Sequence, residues 1–285
     1  MLFSLAVLAL PSLSHGAVQK LKVVASIAPL ADFARQVGGD KVEVILLLPA
    51  GASPHTYEPA PKTVQEISRA RIFIRIGAGL EFWADKLVAA AARDLTTVTC
   101  SEGIDLIKGE DHDHAISNVD PHIWLDPLIC MTIIEKIGDA FSRADPADSV
   151  YYKKRAAAYI DRLAALDREI ADRVKTFRTK EYITFHSAWN YFSRRYGLRV
   201  AGVIEEGPGK EPSARHIGDI LSLIRRLHTR VVFAEPQSST RIAEAIAREA
   251  GGQVLILDDI GGQKGRETYI DLMRYNLSVM ERAMK

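Results

Sequence analysis

Cysteine is scarce in this sequence, with only Cys100 and Cys130 among 285 residues. Their spacing is not of the CxxC type, which disfavours a thiolate zinc site. Two alternatives stay open for the pair: a disulfide, or two buried small hydrophobic residues. An excess of charge of one sign is also lacking, since 37 basic residues balance 36 acidic ones. The chain therefore has no general attraction for a polyanion, and no nucleic acid is expected as a partner.

Long hydrophobic runs are missing as well, because no segment approaches the ~20 apolar residues of a membrane-spanning helix. A shorter apolar stretch at residues 2–10 is followed by Pro11 and small residues, which is the layout of a secretory signal peptide without its usual basic start. We expect residues 1–17 to be cleaved near Gly16 or Ala17 on export to the periplasm. No cysteine stands at a lipid-attachment position after them, so a free periplasmic protein is expected.

Short apolar and β-branched runs alternate with helical patterns in both halves of the chain. The predicted strands are residues 21–27, 42–48, 72–76 and 97–100, followed by 182–185, 199–204, 230–234 and 253–257. Such alternation is typical of parallel sheets that helices cover on both faces. We predict an α/β fold of two lobes, each a parallel sheet flanked by helices, at residues 18–144 and 179–285.

A long helix is predicted between the lobes, at residues 145–178. Asp145 is placed as its N-cap and Pro146 as its first helical residue. Apolar residues then recur at steps of three or four: Tyr152, Ala156, Tyr159, Leu163, Leu166, Ile170, Val174 and Phe177. Such a stripe faces a core, and the helix would be roughly 45 Å long. We expect a rigid connection that permits only a small hinge motion.

Several residues with metal-binding chemistry lie at or just beyond the ends of predicted strands. They are His55, His186, Glu235 and Asp258. In open α/β sheets ligands bind outside the carboxyl ends of the strands, so these side chains are expected to face one crevice. His122 lies in a loop of the first half, ahead of a helix predicted to begin near Pro127.

Imidazoles combined with one carboxylate suit zinc, which takes about four ligands in tetrahedral geometry. A histidine ligand also needs a partner for its second ring nitrogen, and Asp120, Glu58 or a backbone carbonyl could supply it. The other helical-region histidines, His216 and His228, are interpreted as surface or core residues. The glycine-rich residues 207–210 lack the spacing of a phosphate-binding loop.

Six motifs together resemble those of a known family. They are ASIAPL at residues 25–30, PHTYEP at 54–59, DPHIWLDP at 120–127, FHSAW at 185–189, EPS at 211–213 and FAEPQ at 233–237. Over nearly its whole mature length the chain resembles the zinc and manganese solute-binding proteins of ABC importers, the cluster A-I family, which includes periplasmic zinc-uptake proteins. The resemblance implies two α/β lobes joined by a rigid helix, with the metal held between them and delivered to a membrane permease.

The same resemblance implies a ligand set. Its histidines are His55, His122 and His186, and its fourth member is an acid after the last strand. Asp258 and Asp259 compete for that role, and Asp258 is favoured because it follows the strand directly. Glu235 is interpreted as a structural hydrogen-bonding partner.

Zinc is the expected metal, because manganese members of the family tend to have a carboxylate where this chain has His186, and imidazole suits zinc better. Manganese or iron uptake is the alternative. Two interpretations stay open for residues 109–114: a solvated acidic loop, or a short version of the family's insertion that binds metal transiently through His112 and His114.

Two rival functions come from other classes. Three histidines with an open fourth position would make a water-activating site, as in a zinc-dependent hydrolase. A fourth protein ligand would close that position, so no enzymatic activity is expected. An adhesin role, known among secreted relatives, would be secondary. The resulting hypothesis is a monomeric periplasmic protein that captures Zn²⁺ and delivers it to an ABC transporter permease.

Overall fold

The chain, in a computed structural model, is described for residues 20–90, 94–109, 118–207, 209–238 and 240–285. The expected signal peptide and the pair His112 and His114 lie outside these residues. The strands are β1 (Leu21–Ala25), β2 (Val42–Leu46), β3 (Ile72–Arg75), β4 (Thr96–Thr99), β5 (Glu181–Thr184), β6 (Arg199–Val203), β7 (Val231–Ala234) and β8 (Gln253–Ile256). The α-helices are α1 (Ala28–Gly38), α2 (Pro61–Arg69), α3 (Ala84–Ala90), α4 (Pro127–Ala144), α5 (Ser149–Lys175), α6 (Asn190–Tyr196), α7 (Ala214–Leu227), α8 (Thr240–Glu249) and α9 (Tyr269–Met284).

The strands form two parallel sheets with the same topology, ordered β2-β1-β3-β4 and β6-β5-β7-β8. The central strands are largely buried, as in β7, where all four residues are buried, whereas the edge strands β6 and β8 are mostly half-buried. Strands as buried as β7 are stable only where helices cover both sides of the sheet. In each sheet the strand order reverses beside the first strand of the lobe, and a crevice opens there at the carboxyl ends.

The predicted fold of two α/β lobes joined by a long helix is confirmed. All eight predicted strands are present, with bounds that differ from the prediction by at most two residues. The prediction runs past the end of β2 because Leu47 and Leu48 are apolar and buried although they follow the last residue of that strand. Hydrophobicity therefore predicts which residues are buried, but it does not predict where the hydrogen bonding between strands ends.

The predicted start of the long helix is wrong. Asp145 ends α4 instead, where its backbone N–H donates to Phe141 O, and residues 146–148 form a separate 3₁₀ turn before α5. Pro146 fits that turn because it has no N–H to donate. The Asp145 carboxylate accepts a hydrogen bond from Tyr152 Oη at 2.8 Å, which fixes the reversal of direction between the two helices.

The apolar stripe predicted for this helix is confirmed, and all eight of its residues are buried. They belong to one core that also includes Val23 and Ile74 of the first sheet and Phe233 of the second. Helix α9 returns from the second lobe to pack on α5 and α1. The two lobes therefore share a continuous hydrophobic core.

Buried hydrogen bonds also join the lobes. Asp32 of α1 accepts from Tyr159 Oη of α5 at 3.1 Å and from the backbone N–H of Tyr269, at the start of α9, at 2.9 Å. Trp124 Nε1, from the first half, donates to Asp259 O in the second at 2.6 Å. These contacts restrict how far the lobes can separate.

The two cysteine thiols are free and buried, which decides between the alternatives left open by the sequence. Cys130 Sγ donates to Trp124 O at 3.1 Å, and burial raises the thiol pKa well above its usual value. Both residues therefore serve as small core side chains. Within the described parts of the chain, no helix has both the length and the hydropathy needed to cross a membrane.

Candidate metal centre

Three histidine side chains converge between the lobes. The Nε2 atoms of His55 and His122 are 3.1 Å apart, and His186 Nε2 is 3.2 Å from each of them. His122 and His186 are buried and His55 is half-buried. Among the described residues, these three form a cluster that could hold a metal ion.

Each histidine is positioned by a different local structure. His55 lies in the loop after β2, where its backbone N–H donates to Ser53 Oγ at 3.3 Å. His122 precedes a 3₁₀ turn at Ile123–Leu125, which leads into α4. His186 follows β5 by two residues and stands at the start of another short turn. Sequence positions far apart are thus brought to one point by both lobes.

The two buried histidines each have a carboxylate at the ring nitrogen that faces away from the cluster. Asp120 Oδ1 lies 2.7 Å from His122 Nδ1 and also accepts the backbone N–H of His122 at 2.9 Å. Glu205 Oε2 lies 3.1 Å from His186 Nδ1. A carboxylate only accepts hydrogen bonds, so each Nδ1 is the donor, and on a neutral ring Nε2 carries the lone pair that faces the cluster.

The spacing of the three Nε2 atoms fits zinc. Ligands in tetrahedral geometry are separated by about 1.6 times the bond length, and Zn–N bonds of ~2.0–2.1 Å place them ~3.3 Å apart. The observed separations of 3.1 and 3.2 Å are close to that value. On neutral rings, lone pairs that face one another at this distance repel unless a cation or a shared proton lies between them.

Neighbouring charges perturb two of these rings in opposite directions. Burial lowers the pKa of His55 well below its usual value, and the His186 and His122 rings lower it further. Burial alone would also lower the pKa of His186, but the hydrogen bond to Glu205 and the charges of Glu235 and Asp259 raise it to about 9. The Glu205 carboxylate of the second lobe therefore favours positive charge at His186.

Asp258, the acid that the sequence favoured as fourth ligand, makes its contacts within the second lobe. Its Oδ1 accepts the backbone N–H groups of Ile260 and Gly261 at 3.1 and 2.8 Å, and its Oδ2 lies 3.0 Å from Arg266 Nη1. Its backbone N–H donates to Asn276 Oδ1 at 2.8 Å. These contacts hold the turn after β8, and the metal-binding cluster found among the described residues includes neither Asp258 nor Asp259.

Two neighbouring acids, Asp259 and Glu235, act electrostatically on His186. Asp259 is buried, accepts from Gln237 Nε2 at 2.5 Å and acts on the pKa of His186. Glu235, fully buried after β7, accepts from Trp189 Nε1 at 3.3 Å, which agrees with its interpretation as a hydrogen-bonding partner. Burial raises the pKa of Glu235 to about 8, although the charge of His186 opposes this.

A cleft of about 270 Å³ opens beside His55 and His186. Its walls come from both lobes, with Thr56 on one side and Gly209 and Lys210 on the other. A solute can therefore reach the histidines from this side. The other two histidines considered are engaged elsewhere, with His216 Nε2 2.8 Å from Val203 O and His228 ending α7 in a left-handed conformation.

Sequence reasoning named Asp120 as one possible ring partner, beside Glu58 and a backbone carbonyl, but missed Glu205. The signal was present, because Glu205 follows the predicted strand 199–204 directly. The rule that singled out His186 and Asp258 at strand ends applies equally to this position. It was overlooked because a glutamate in a loop has no distinctive spacing of its own.

Comparison with known proteins agrees with this geometry. The model of the family described as zinc-uptake complex component A, periplasmic, matches residues 23–283. The high-affinity zinc uptake system protein ZnuA of Bacillus subtilis (strain 168) is 30% identical over 277 residues, which cover 92% of this chain and 87% of that protein.

Another relative is longer. The zinc-binding lipoprotein AdcA of Streptococcus pneumoniae serotype 4 is 31% identical over 277 residues, and the match covers 92% of this chain but 55% of AdcA. The chain thus spans about half the length of that relative.

The fold is also found among solved structures. A crystal structure of ZnuA superposes with a TM-score of 0.86 and 29% sequence identity, covering 94% of this chain and 100% of that one. Because the family model matches nearly the whole described length, from the first sheet to the last helix, the chain belongs to the periplasmic zinc-uptake complex component A family of solute-binding transport proteins.

Proposed function

We propose that this chain is the metal-capturing component of an ABC importer, which binds Zn²⁺ between its lobes and delivers it to a membrane permease. The observation that supports this most directly is the convergence of three Nε2 atoms from both lobes at 3.1 to 3.2 Å. The names of its relatives, a zinc uptake system protein and a zinc-binding lipoprotein, agree with this function.

The donor set favours zinc over manganese. Imidazole nitrogen suits zinc, whereas manganese is better served by carboxylate, carbonyl and water oxygen. Tight binding also requires that the rings be oriented beforehand, and Asp120 and Glu205 supply that orientation for His122 and His186.

The direct test is isothermal titration of chelator-stripped mature protein with Zn²⁺ and then with Mn²⁺. We expect one zinc ion per chain and much weaker manganese binding. Equal or tighter binding of manganese would retain the metal-capture function but contradict the choice of metal. No binding of either ion would contradict the proposed function itself.

For the fourth ligand we propose Asp259 in preference to Asp258. Coordination by Asp258 would draw its carboxylate away from Arg266 or from two backbone N–H groups, whereas the charge of Asp259 acts on His186. An acid at this position closes the coordination sphere, so we infer binding and release of zinc without catalysis. Ester hydrolysis by the zinc-loaded protein above the rate of free Zn²⁺ would contradict that inference.

The two aspartates provide matched variants. We expect Asp259→Asn to weaken zinc binding while the metal-free protein stays stable. Asp258→Asn should lower the free energy of unfolding by about 1–3 kcal/mol, because it weakens the charged contact with Arg266, and should leave zinc affinity nearly unchanged. Titration calorimetry and urea unfolding measure the two effects. The opposite pattern would restore Asp258 as the ligand.

We further propose that the protein acts in the periplasm as a monomer after removal of residues 1–17. The signal-like pattern of those residues and the periplasmic description of the family support this location. Sequencing the amino terminus of protein recovered from periplasmic extracts tests it, and a retained Met1 would contradict it.

A further inference from the structure

We propose that Glu205 is a positioning residue for the metal ligand His186, and that it aligns the His186 ring for zinc. This inference rests on the proposed zinc-binding function and assigns a role to a residue outside the expected ligand set. Glu205 lies just beyond the carboxyl end of β6, the strand next to β5.

The backbone of Glu205 places it beside His186. Its N–H donates to the carbonyl oxygen of Phe185 at 2.9 Å, and Ile204 N–H donates to Thr184 O at 3.0 Å. The parallel pairing of β5 and β6 therefore continues past both strands. This pairing brings Glu205 next to the backbone of Phe185. The side chain of His186, the next residue, therefore contacts the side chain of Glu205.

Both carboxylate oxygens of Glu205 are engaged. Oε2 accepts from His186 Nδ1 at 3.1 Å, and Oε1 accepts the backbone N–H of Gly209 at 2.7 Å. Gly209 has a φ of 74°, a conformation that glycine adopts readily. The carboxylate is thus held by His186, which follows β5, and by the loop at Gly209. These two contacts fix its position without a bound metal.

The chemistry follows from the roles of the two ring nitrogens. A carboxylate at Nδ1 retains the proton there, so Nε2 keeps the lone pair that a metal needs. It also prevents rotation of the ring, whose Nε2 must stay near those of His55 and His122. The first lobe has the same arrangement in His122 and Asp120. Each lobe therefore supplies one buried histidine with its own carboxylate.

A direct coordinating role for Glu205 is less favoured by these contacts. To bind the metal, the carboxylate would have to give up the hydrogen bond to His186 or the one to Gly209. The two roles differ in one measurable respect. A positioning residue acts only while His186 is present, whereas a ligand contributes by itself.

The test compares zinc affinity of the full mature protein with that of Glu205→Gln, measured by competition with a chelator. A glutamine oxygen can accept only one of the two hydrogen bonds, and we expect affinity to fall by about 10–100-fold. The matched control is Glu211→Gln, which removes the same charge from an exposed residue of the same cleft. That control should change affinity less than about 3-fold, which is within salt-screened surface effects.

A double-mutant cycle separates the possibilities. In the His186→Ala background, we expect Glu205→Gln to have no further effect on the remaining zinc affinity. An equal loss in both backgrounds would overturn the positioning role in favour of direct coordination. A loss no larger than that of Glu211→Gln would also overturn it. If wild-type protein bound no zinc, the proposed function itself would be contradicted. This result differs from the two outcomes that overturn only the positioning role of Glu205.

Urea unfolding of the metal-free proteins tests whether Glu205 acts on the fold and not on the metal site. We expect metal-free Glu205→Gln to stay folded and to unfold at a somewhat lower urea concentration than wild type, since the variant weakens the contact with His186. A large loss of metal-free stability together with unchanged zinc affinity would assign Glu205 to the fold alone and overturn the proposal.

Discussion

Zinc affinity is expected to fall by more than about 100-fold when His186 is replaced by alanine, because removing a partner that only orients a ligand already costs 10–100-fold. His186 provides one of three Nε2 atoms and is buried between the lobes. Alanine leaves the zinc ion with two histidines and an unfilled volume on the side of the second lobe. Titration calorimetry of chelator-stripped wild type and variant measures the effect.

The matched control for this prediction is His216→Ala. His216 also belongs to the second lobe and is partly buried, but its Nε2 lies 2.8 Å from Val203 O and it is outside the cluster. It should retain wild-type zinc affinity. Tight zinc binding by His186→Ala, or an equal loss in His216→Ala, would show that the three-histidine cluster is not the binding site.

The second large effect is expected on stability, at Asp32. This buried carboxylate accepts from Tyr159 Oη and from the backbone N–H of Tyr269, and so joins α1 to α5 and to the second lobe. Asp32→Ala leaves both donors buried without this acceptor, at about 1–3 kcal/mol each. We expect the free energy of unfolding in urea to fall by roughly 2–6 kcal/mol.

Two further variants make this result interpretable. Both donors bind the same oxygen, Oδ2, so Asp32→Asn can keep that acceptor and should lose less stability than Asp32→Ala. Asp161→Ala changes an exposed aspartate of α5 and should stay within about 0.5 kcal/mol of wild type. If Asp32→Ala were as stable as Asp161→Ala, the hydrogen bonds of Asp32 between the lobes would not contribute to the stability of the fold.

The relation between the lobes has a consequence for metal exchange. The shared core and the Asp32 and Trp124 contacts oppose a wide opening of the two halves. The cleft beside His55, in contrast, already opens to solvent between loops. This agrees with the small hinge motion expected from the long helix. A large change in the radius of gyration on zinc binding, measured by small-angle scattering, would contradict it.

Much of the fold could be predicted from the sequence because hydrophobic periodicity reports burial. The eight apolar runs became eight strands, and the stripe from Tyr152 to Phe177 is buried along its length. The helix start was mispredicted because the residues around Asp145 and Pro146 suit several local structures equally. An aspartate followed by a proline predicts that the chain changes direction. Where the new helix begins is decided by the packing of α4 on α5.

The candidate site was predicted in part, for a related reason. A histidine has few roles that suit a loop at the carboxyl end of a buried strand, so His55 and His186 could be singled out from sequence. An acidic residue at such a position has more possible roles: metal ligand, hydrogen-bonding partner of a histidine ring, helix cap or member of an ion pair. The choice among Glu205, Glu235, Asp258 and Asp259 depends on which donors surround each carboxylate.

The sequence by itself determined the two α/β lobes and the long connecting helix, because local periodicity is a property of short segments, and it singled out His55 and His186 as candidates near strand ends. Only the tertiary structure decided that three Nε2 atoms meet at 3.1 to 3.2 Å, that Asp258 pairs with Arg266, and that Glu205 supports His186. These depend on contacts between residues up to 131 positions apart, as for His55 and His186. Such distances are set by the packing of whole lobes against one helix and not by any local pattern.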